Sequence, residues 1–389
     1  MRRNLLLVSL DTLRADVAYG GQLRHLTPLA ASGTAFLNTI AAAPLTPVSH
    51  ASVFTALYPH EHGLRHLLRE RLTTSKPTLA ELMARAGYDT GAIVACPGLN
   101  RWYGMHRGFA HYDDEVPRLA DGRDPLKVGD VKIRGTALKR APIVVERALQ
   151  WLEPRRHKPF FLFAHFFDTH WPYEAPELYG PPAANPYEQE AHFVDHHLAR
   201  LMDAVRGWGL LDNTLVIVFS DHGEDLAGWY PNDHGGAALG HPEENGHGCL
   251  LHDATQRVPL FLIGDGIPSG VRIDEQVRLV DIMPSALDLL NVPDAAERAG
   301  ESLTPFFRGE RRHRVAYSET YYPEEQTLVP GLGPLHAVRY ENRFKAIVDV
   351  RTGTLTAYDL ANDPNELMAT PLGGTAAGQD VAHLTALAP

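Results

Sequence analysis

The chain has 389 residues, 44% of them hydrophobic and 21% charged, which is enough apolar material for one large core. A formal charge of -11 argues against nonspecific nucleic-acid binding, which needs a basic footprint, and leaves a local cation as the means of attracting an anion. Two cysteines, Cys96 and Cys249, are too few for a disulfide framework, and no run of about 18 apolar residues offers a membrane span, so the expected compartment is the cytoplasm.

Residues 4–10 read as a continuous apolar strand that stops at Asp11, a run too short for a signal peptide. Similar short strands are expected at 90–95, 159–167, 214–220 and 259–263. Helical patterns fall at 78–86, 143–151 and 188–208, with Gly or Pro at their exits. That alternation predicts an α/β fold, a mostly parallel central sheet sandwiched between helices. Charges, Gly and Pro break the pattern across 113–140, where a surface loop or lid is expected. From residue 337 two strand-like stretches, 337–350 and 354–360, flank a polar Arg351-Thr352-Gly353 turn. They predict a small C-terminal antiparallel β appendage. The chain therefore divides into a large domain over 1–336 and a subdomain over 337–389, with a frayed tail from residue 370.

Two strand ends carry acid groups: Ser9-Leu10-Asp11 and Ser220-Asp221-His222-Gly223-Glu224. In open α/β sheets the carboxyl ends of the strands form the functional rim, so Asp11, Asp221 and His222 are expected to meet. Two carboxylates and an imidazole suit a divalent cation, although either motif alone fits a helix cap or a turn equally well. A third segment, Pro44-Leu45-Thr46-Pro47-Val48-Ser49-His50-Ala51, opens a helix with a hydroxyl beside unpaired backbone N–H groups, where an oxyanion is favoured.

These segments resemble the sulfatase branch of the alkaline phosphatase superfamily. In that family a nucleophile, any residue, Pro, Ser and then Arg or His open a helix. On this pattern Thr46 takes the nucleophile position, with Ser49 and His50 as substrate-binding residues. Asp168-Thr169-His170-Trp171-Pro172-Tyr173, Gly246-His247-Gly248, Val280-Asp281-Ile282-Met283-Pro284 and Tyr358-Asp359-Leu360 are similar to later motifs in the family's order, across residues 1–370. The resemblance implies an alkaline phosphatase-like fold. It also implies one divalent ion (Mn, Mg, Ca or Zn) on Asp11, Thr46, Asp221 and His222, with His170 and His247 steadying the ester oxygens or protonating the leaving group. Asp233, His234 and His241 are candidates for a second ion.

The chain departs from the pattern in four places. A typical sulfatase carries Cys or Ser for conversion to formylglycine, and with Thr46 no formylglycine is expected. Val48 occupies the Pro position, so Ser49 stays open as an alternative nucleophile. Asp11-Thr12 replaces paired aspartates, and Ala95-Cys96-Pro97-Gly98-Leu99 stands where a Lys-x-His element belongs. The expectation is therefore a hydrolase or transferase of phosphate diesters, phosphonates or related small anionic esters through a covalent Thr46 intermediate. The alternatives are a sulfuric ester hydrolase and an inactive homologue that binds an anionic ligand. Neither nucleic acid nor a membrane is an expected partner.

Overall fold

Seven consecutive buried residues make strand β1 (Asn4–Leu10), the pattern of a strand covered on both faces. A computed structural model of the protein describes residues 2–119, 121–124, 139–325 and 333–370. The remaining strands are β2 (Thr34–Ile40), β3 (Asp89–Ile93), β4 (His111–Asp113), β5 (Phe160–Phe166), β6 (Thr214–Phe219), β7 (Arg257–Ile263), β8 (Val271–Arg278), β9 (Val315–Thr320), β10 (Leu335–Tyr340), β11 (Phe344–Asp349) and β12 (Leu355–Asp359). The first eight form one sheet in the order β4-β3-β5-β1-β6-β7-β2-β8. Within it β7 runs antiparallel to both neighbours and every other pair is parallel.

The helices that matter for the site are α1 (Thr46–Thr55), α2 (Leu79–Arg85), α3 (Ala141–Leu152), α4 (Pro186–Gly207) and α5 (Ile282–Leu289). Thr78 and Glu81 close a capping box at the start of α2. Asn185 caps α4 through the Glu188 N–H. Helix α3 packs on β3, β5 and α4, while α1 packs against α2 and α5. No described helix is long and apolar enough to cross a membrane.

The antiparallel sheet at the C-terminus has four strands, β12-β11-β10-β9. It begins at Val315, ahead of the expected boundary at 336/337. Glu341 at φ 52° turns the expected stretch 337–350 back on itself, giving β10 and β11. The sheet docks on the larger unit through Ser318 Oγ to the Ala41 carbonyl at 2.6 Å and the Glu319 N–H to the Ala42 carbonyl at 3.0 Å. Strand β8 was not foreseen because its sequence, VRIDEQVR, is polar and half exposed. Of the expected loop at 113–140, β4 takes residue 113, while 120 and 125–138 lie outside the described residues, as does the tail beyond 370.

Candidate active site

Strand register determines which groups meet. Ser9 of β1 pairs with His165 of β5 on one side and with Phe219 of β6 on the other. Two residues further along, Asp11 and Asp221 therefore leave adjacent strand ends level with each other. Helix α1 brings Thr46 to the same point: Leu45 is the extended N-cap, and Pro47 fits the first turn because it has no N–H to leave unpaired. The Thr46 hydroxyl donates to Asp11 Oδ2 at 3.2 Å and lies 3.4 Å from His222 Nε2.

Backbone contacts set the imidazole tautomers. A carbonyl only accepts, so His222 Nδ1 donates its hydrogen to the Gly223 carbonyl at 2.9 Å, and in the neutral ring Nε2 faces the site as a lone pair. His170 Nδ1 likewise donates to the Trp171 carbonyl at 2.8 Å. His165 is the reverse case. Its Nδ1 accepts from the Ala95 N–H at 3.2 Å, so Nε2 carries the hydrogen and donates it to Asp11 Oδ2 at 3.0 Å.

Ligand atoms of Asp11, Asp221 and His222 all lie within 4.8 Å of one another, and all three residues are buried. Asp11 Oδ1 and Asp221 Oδ2 are buried with no hydrogen-bond partner among the described residues. Orphaned carboxylate oxygens beside an imidazole lone pair fit a divalent cation. Asp11, Cys96 and His165 also cluster within 4.8 Å, but the hydrogen on His165 Nε2 makes that group a poor ligand set. Thr12, left-handed at φ 56°, gives its N–H to Asp221 Oδ1 at 3.3 Å, an unusual conformation for a β-branched residue and one found at functional sites.

Burial dominates the electrostatics. It raises the carboxyl groups of Asp11 and Asp221 above their ordinary range, and in Asp221 the neighbouring Asp11 adds to the effect. It lowers His165 to about 4, so that ring is neutral. His222 is raised in spite of its burial, because Asp221 and Asp11 outweigh the loss of water. His170 falls to about 4, through burial and then His247.

The expected site residues divide. Asp11, Thr46, Asp221 and His222 come together. His170 and His247 stand beside them, with ring centroids 4.9 Å apart and His247 4.3 Å from His222. Ser49 and His50 are not placed to bind substrate. Both are fully buried: Ser49 Oγ donates to the Asp221 carbonyl at 2.6 Å, and His50 Nδ1 donates to the Thr46 carbonyl at 2.7 Å while Nε2 meets Ser9 Oγ at 2.9 Å. That geometry also removes Ser49 as a nucleophile. Nor do Asp233, His234 and His241 form a second metal site. Asp233 is held by Arg14 at 2.8 Å and by two backbone N–H groups, His234 Nε2 by the Asn365 carbonyl at 3.0 Å, and His241 by Glu243 at 3.0 Å. His165 and Glu224 also line the site and were not among the expected residues; the second lies in the Asp221-His222-Gly223-Glu224 motif, where its sequence position could have flagged it.

A profile of the sulfatase family matches residues 3–292. The chain belongs to the sulfatase family. Its sulfatase relatives include a Delta 4,5-hexuronate-2-O-sulfatase from Bacteroides thetaiotaomicron, 23% identical over 93% of this chain and 83% of that one. Arylsulfatase K from Bos taurus is 22% identical over 94% of this chain and 77% of its own length. Among solved structures, the phosphonate monoester hydrolase of Agrobacterium radiobacter superposes with a TM-score of 0.77 at 20% identity, covering 99% of this chain and 95% of that one. The fold is thus alkaline phosphatase-like.

Proposed function

We propose that this protein hydrolyses sulfuric monoesters, with Thr46 Oγ1 as the attacking atom. The observation that carries the reading is the placement of that oxygen 3.2 Å from Asp11 and 3.4 Å from His222, at the opening of α1, in a chain of the sulfatase family. The hexuronate-2-O-sulfatase relative makes a sulfated sugar the first substrate class to try. The threonine Cβ bears a single hydrogen, so its oxidation stops at a ketone and yields no aldehyde. The hydroxyl itself is therefore the nucleophile.

Asp11, Asp221, His222 and Thr46 Oγ1 would hold a divalent ion, whose charge acidifies the threonine hydroxyl and offsets the charge on the ester oxygens. Asp11 Oδ2 accepts the Thr46 hydrogen bond and so can take that proton as Oγ1 bonds to sulfur. The S–O bond to the alcohol breaks in the same step. Burial leaves His170 and His247 neutral, and a bound anion favours their protonated forms, which can donate to the departing oxygen. Water then attacks sulfur, releasing sulfate and restoring the Thr46 hydroxyl.

A second reading, a phosphate diester or phosphonate monoester hydrolase, is favoured by the threonine and by the likeness to the phosphonate monoester hydrolase. The deciding experiment offers metal-reconstituted protein a sulfate monoester, a phosphate monoester, a phosphate diester and a phosphonate monoester, with Thr46→Ala alongside. The sulfate ester is expected to be preferred, with turnover falling at least ~10³-fold in the variant. Preference for the diester or phosphonate replaces this reading with the second. Tight metal binding without turnover makes the chain an anion-binding homologue.

A further inference from the structure

Tyr173, Glu224 and His247 belong to three separate motifs, and the fold lines them up. His247 Nδ1 lies 2.8 Å from Glu224 Oε1, and Tyr173 faces the same carboxyl group. The Glu224 side chain is fully buried, whereas that of His247 keeps 15% of its surface. The His247 ring also faces His222 and His170, the side where the ester must sit.

The backbone holds this contact from both sides. The Asp225 N–H donates to the Gly246 carbonyl at 2.6 Å, tying the loop that carries His247 to the residue after Glu224. Gly246 is at φ 103°, and a Cβ there would stand 2.5 Å from Glu224 Oε1. Gly248, at φ 114°, would place its Cβ 2.5 Å from the Tyr322 ring, and its carbonyl is held by the Thr320 hydroxyl at the end of β9. The Gly246-His247-Gly248 sequence is therefore what lets the imidazole approach the carboxylate, and the C-terminal sheet braces it there.

We propose that Glu224 is a positioning residue: its carboxylate accepts the Nδ1 hydrogen of His247 and turns Nε2 toward the bridging oxygen of the ester, a role that rests on the ester hydrolase reading above. In the step this serves, the protonated ring gives its Nε2 hydrogen to the bridging oxygen. The S–O electron pair stays on that oxygen, which leaves as a neutral alcohol. The ring is left neutral, keeping its Nδ1 hydrogen in the hydrogen bond to Glu224, and solvent restores the Nε2 proton. Carboxylate, imidazole and reacting atom then stand in the order that acid–base sites use to fix a tautomer.

Two measurements test this. The first compares sulfate esters of 4-nitrophenol, which needs no protonation to leave, with those of an aliphatic alcohol, which does, in wild type, Glu224→Gln and Glu224→Leu. Glu224→Leu is expected to lose ~10²-fold or more on the aliphatic ester but to stay within ~10-fold on the nitrophenyl ester, while Glu224→Gln, which keeps an accepting oxygen, falls between. Equal losses on both esters would mean a purely structural role and overturn the proposal. The second reads the His247 tautomer from long-range ¹H–¹⁵N spectra of histidine-labelled protein, assigned against His247→Asn. A hydrogen on Nδ1 is expected in wild type, and a hydrogen on Nε2 alone overturns the proposal whatever the kinetics. If wild type cleaves no ester, the functional reading falls and the tautomer decides this proposal independently.

Discussion

Asp11 Oδ2 accepts hydrogen bonds from two sides, Thr46 Oγ1 at 3.2 Å and His165 Nε2 at 3.0 Å, which leaves Oδ1 as the atom free for a cation. His165 would thus act on a bound metal through Asp11 without being a ligand. Hydrogen bonds that orient a ligating carboxylate commonly change metal affinity by ~10–100-fold when removed. His165→Leu should weaken Mn²⁺ binding by about that factor in calorimetry, and His165→Gln, whose amide can still donate to Asp11, should recover part of it. Unchanged affinity in His165→Leu would reduce the residue to packing beside His50, whose ring lies 5.2 Å away. A single strand sequence hides this role. Inside Phe160–Phe166, with the sequence FFLFAHF, a histidine reads as one more core residue, and only the pairing of β5 with β1 puts it beside Asp11.

At the scale of elements, the legible features were those that short-range pattern encodes. Continuous apolar runs marked β1, β5 and β6. The acidic groups at the ends of β1 and β6 marked the rim, and the hydroxyl opening α1 marked Thr46. His50 was misread for a related reason. It follows Thr46 by four residues, so it lies one turn further along the same helix face, with its ring turned inward among Phe163, His165 and Phe219. Spacing along the chain does not say how far a helix end protrudes into a site. Close approaches between elements were equally invisible. Gly91 of β3 sits under Trp151 of α3, where a Cβ would lie 2.3 Å from the indole. Gly91→Ala must push α3 away or displace the ring, and such overpacking costs ~1–3 kcal/mol. Urea unfolding should show that loss, and in a Trp151→Leu background, where the indole is gone, Gly91→Ala should cost much less. A Gly91→Ala protein as stable as wild type would show that the helix shifts freely.

For the whole molecule, the question is how the C-terminal sheet stays docked, since it braces the His247 loop. The answer lies in buried charge as well as apolar contact. Lys345 Nζ of β11 lies 2.9 Å from both Asp253 Oδ1 and Glu366 Oε1, and Arg339 of β10 lies 2.9 Å from Asp253 Oδ2. Burial pushes the Asp253 carboxyl up, yet Arg339 and Lys345 together hold it below the carboxylate range, whereas burial outweighs Lys345 at Glu366 and raises that group. In Lys345→Met, Asp253 keeps Arg339 but Glu366 loses its cation. Removing one partner from a buried pair costs ~3–5 kcal/mol, and a Glu366 that can neutralise itself by protonation lessens the cost. The sign follows from linkage. A carboxyl whose folded pKa lies above its unfolded value costs stability as pH rises between the two, and losing Lys345 raises the folded value further. Asp253, still beside Arg339, remains ionised through the same interval and adds no slope. Denaturant unfolding of Lys345→Met should therefore show a larger loss at about pH 8 than at about pH 5. A loss independent of pH would mean that Lys345 serves through its packed hydrocarbon stem, with the C-terminal sheet held by contacts such as Leu251 with Ala337 and Ile347.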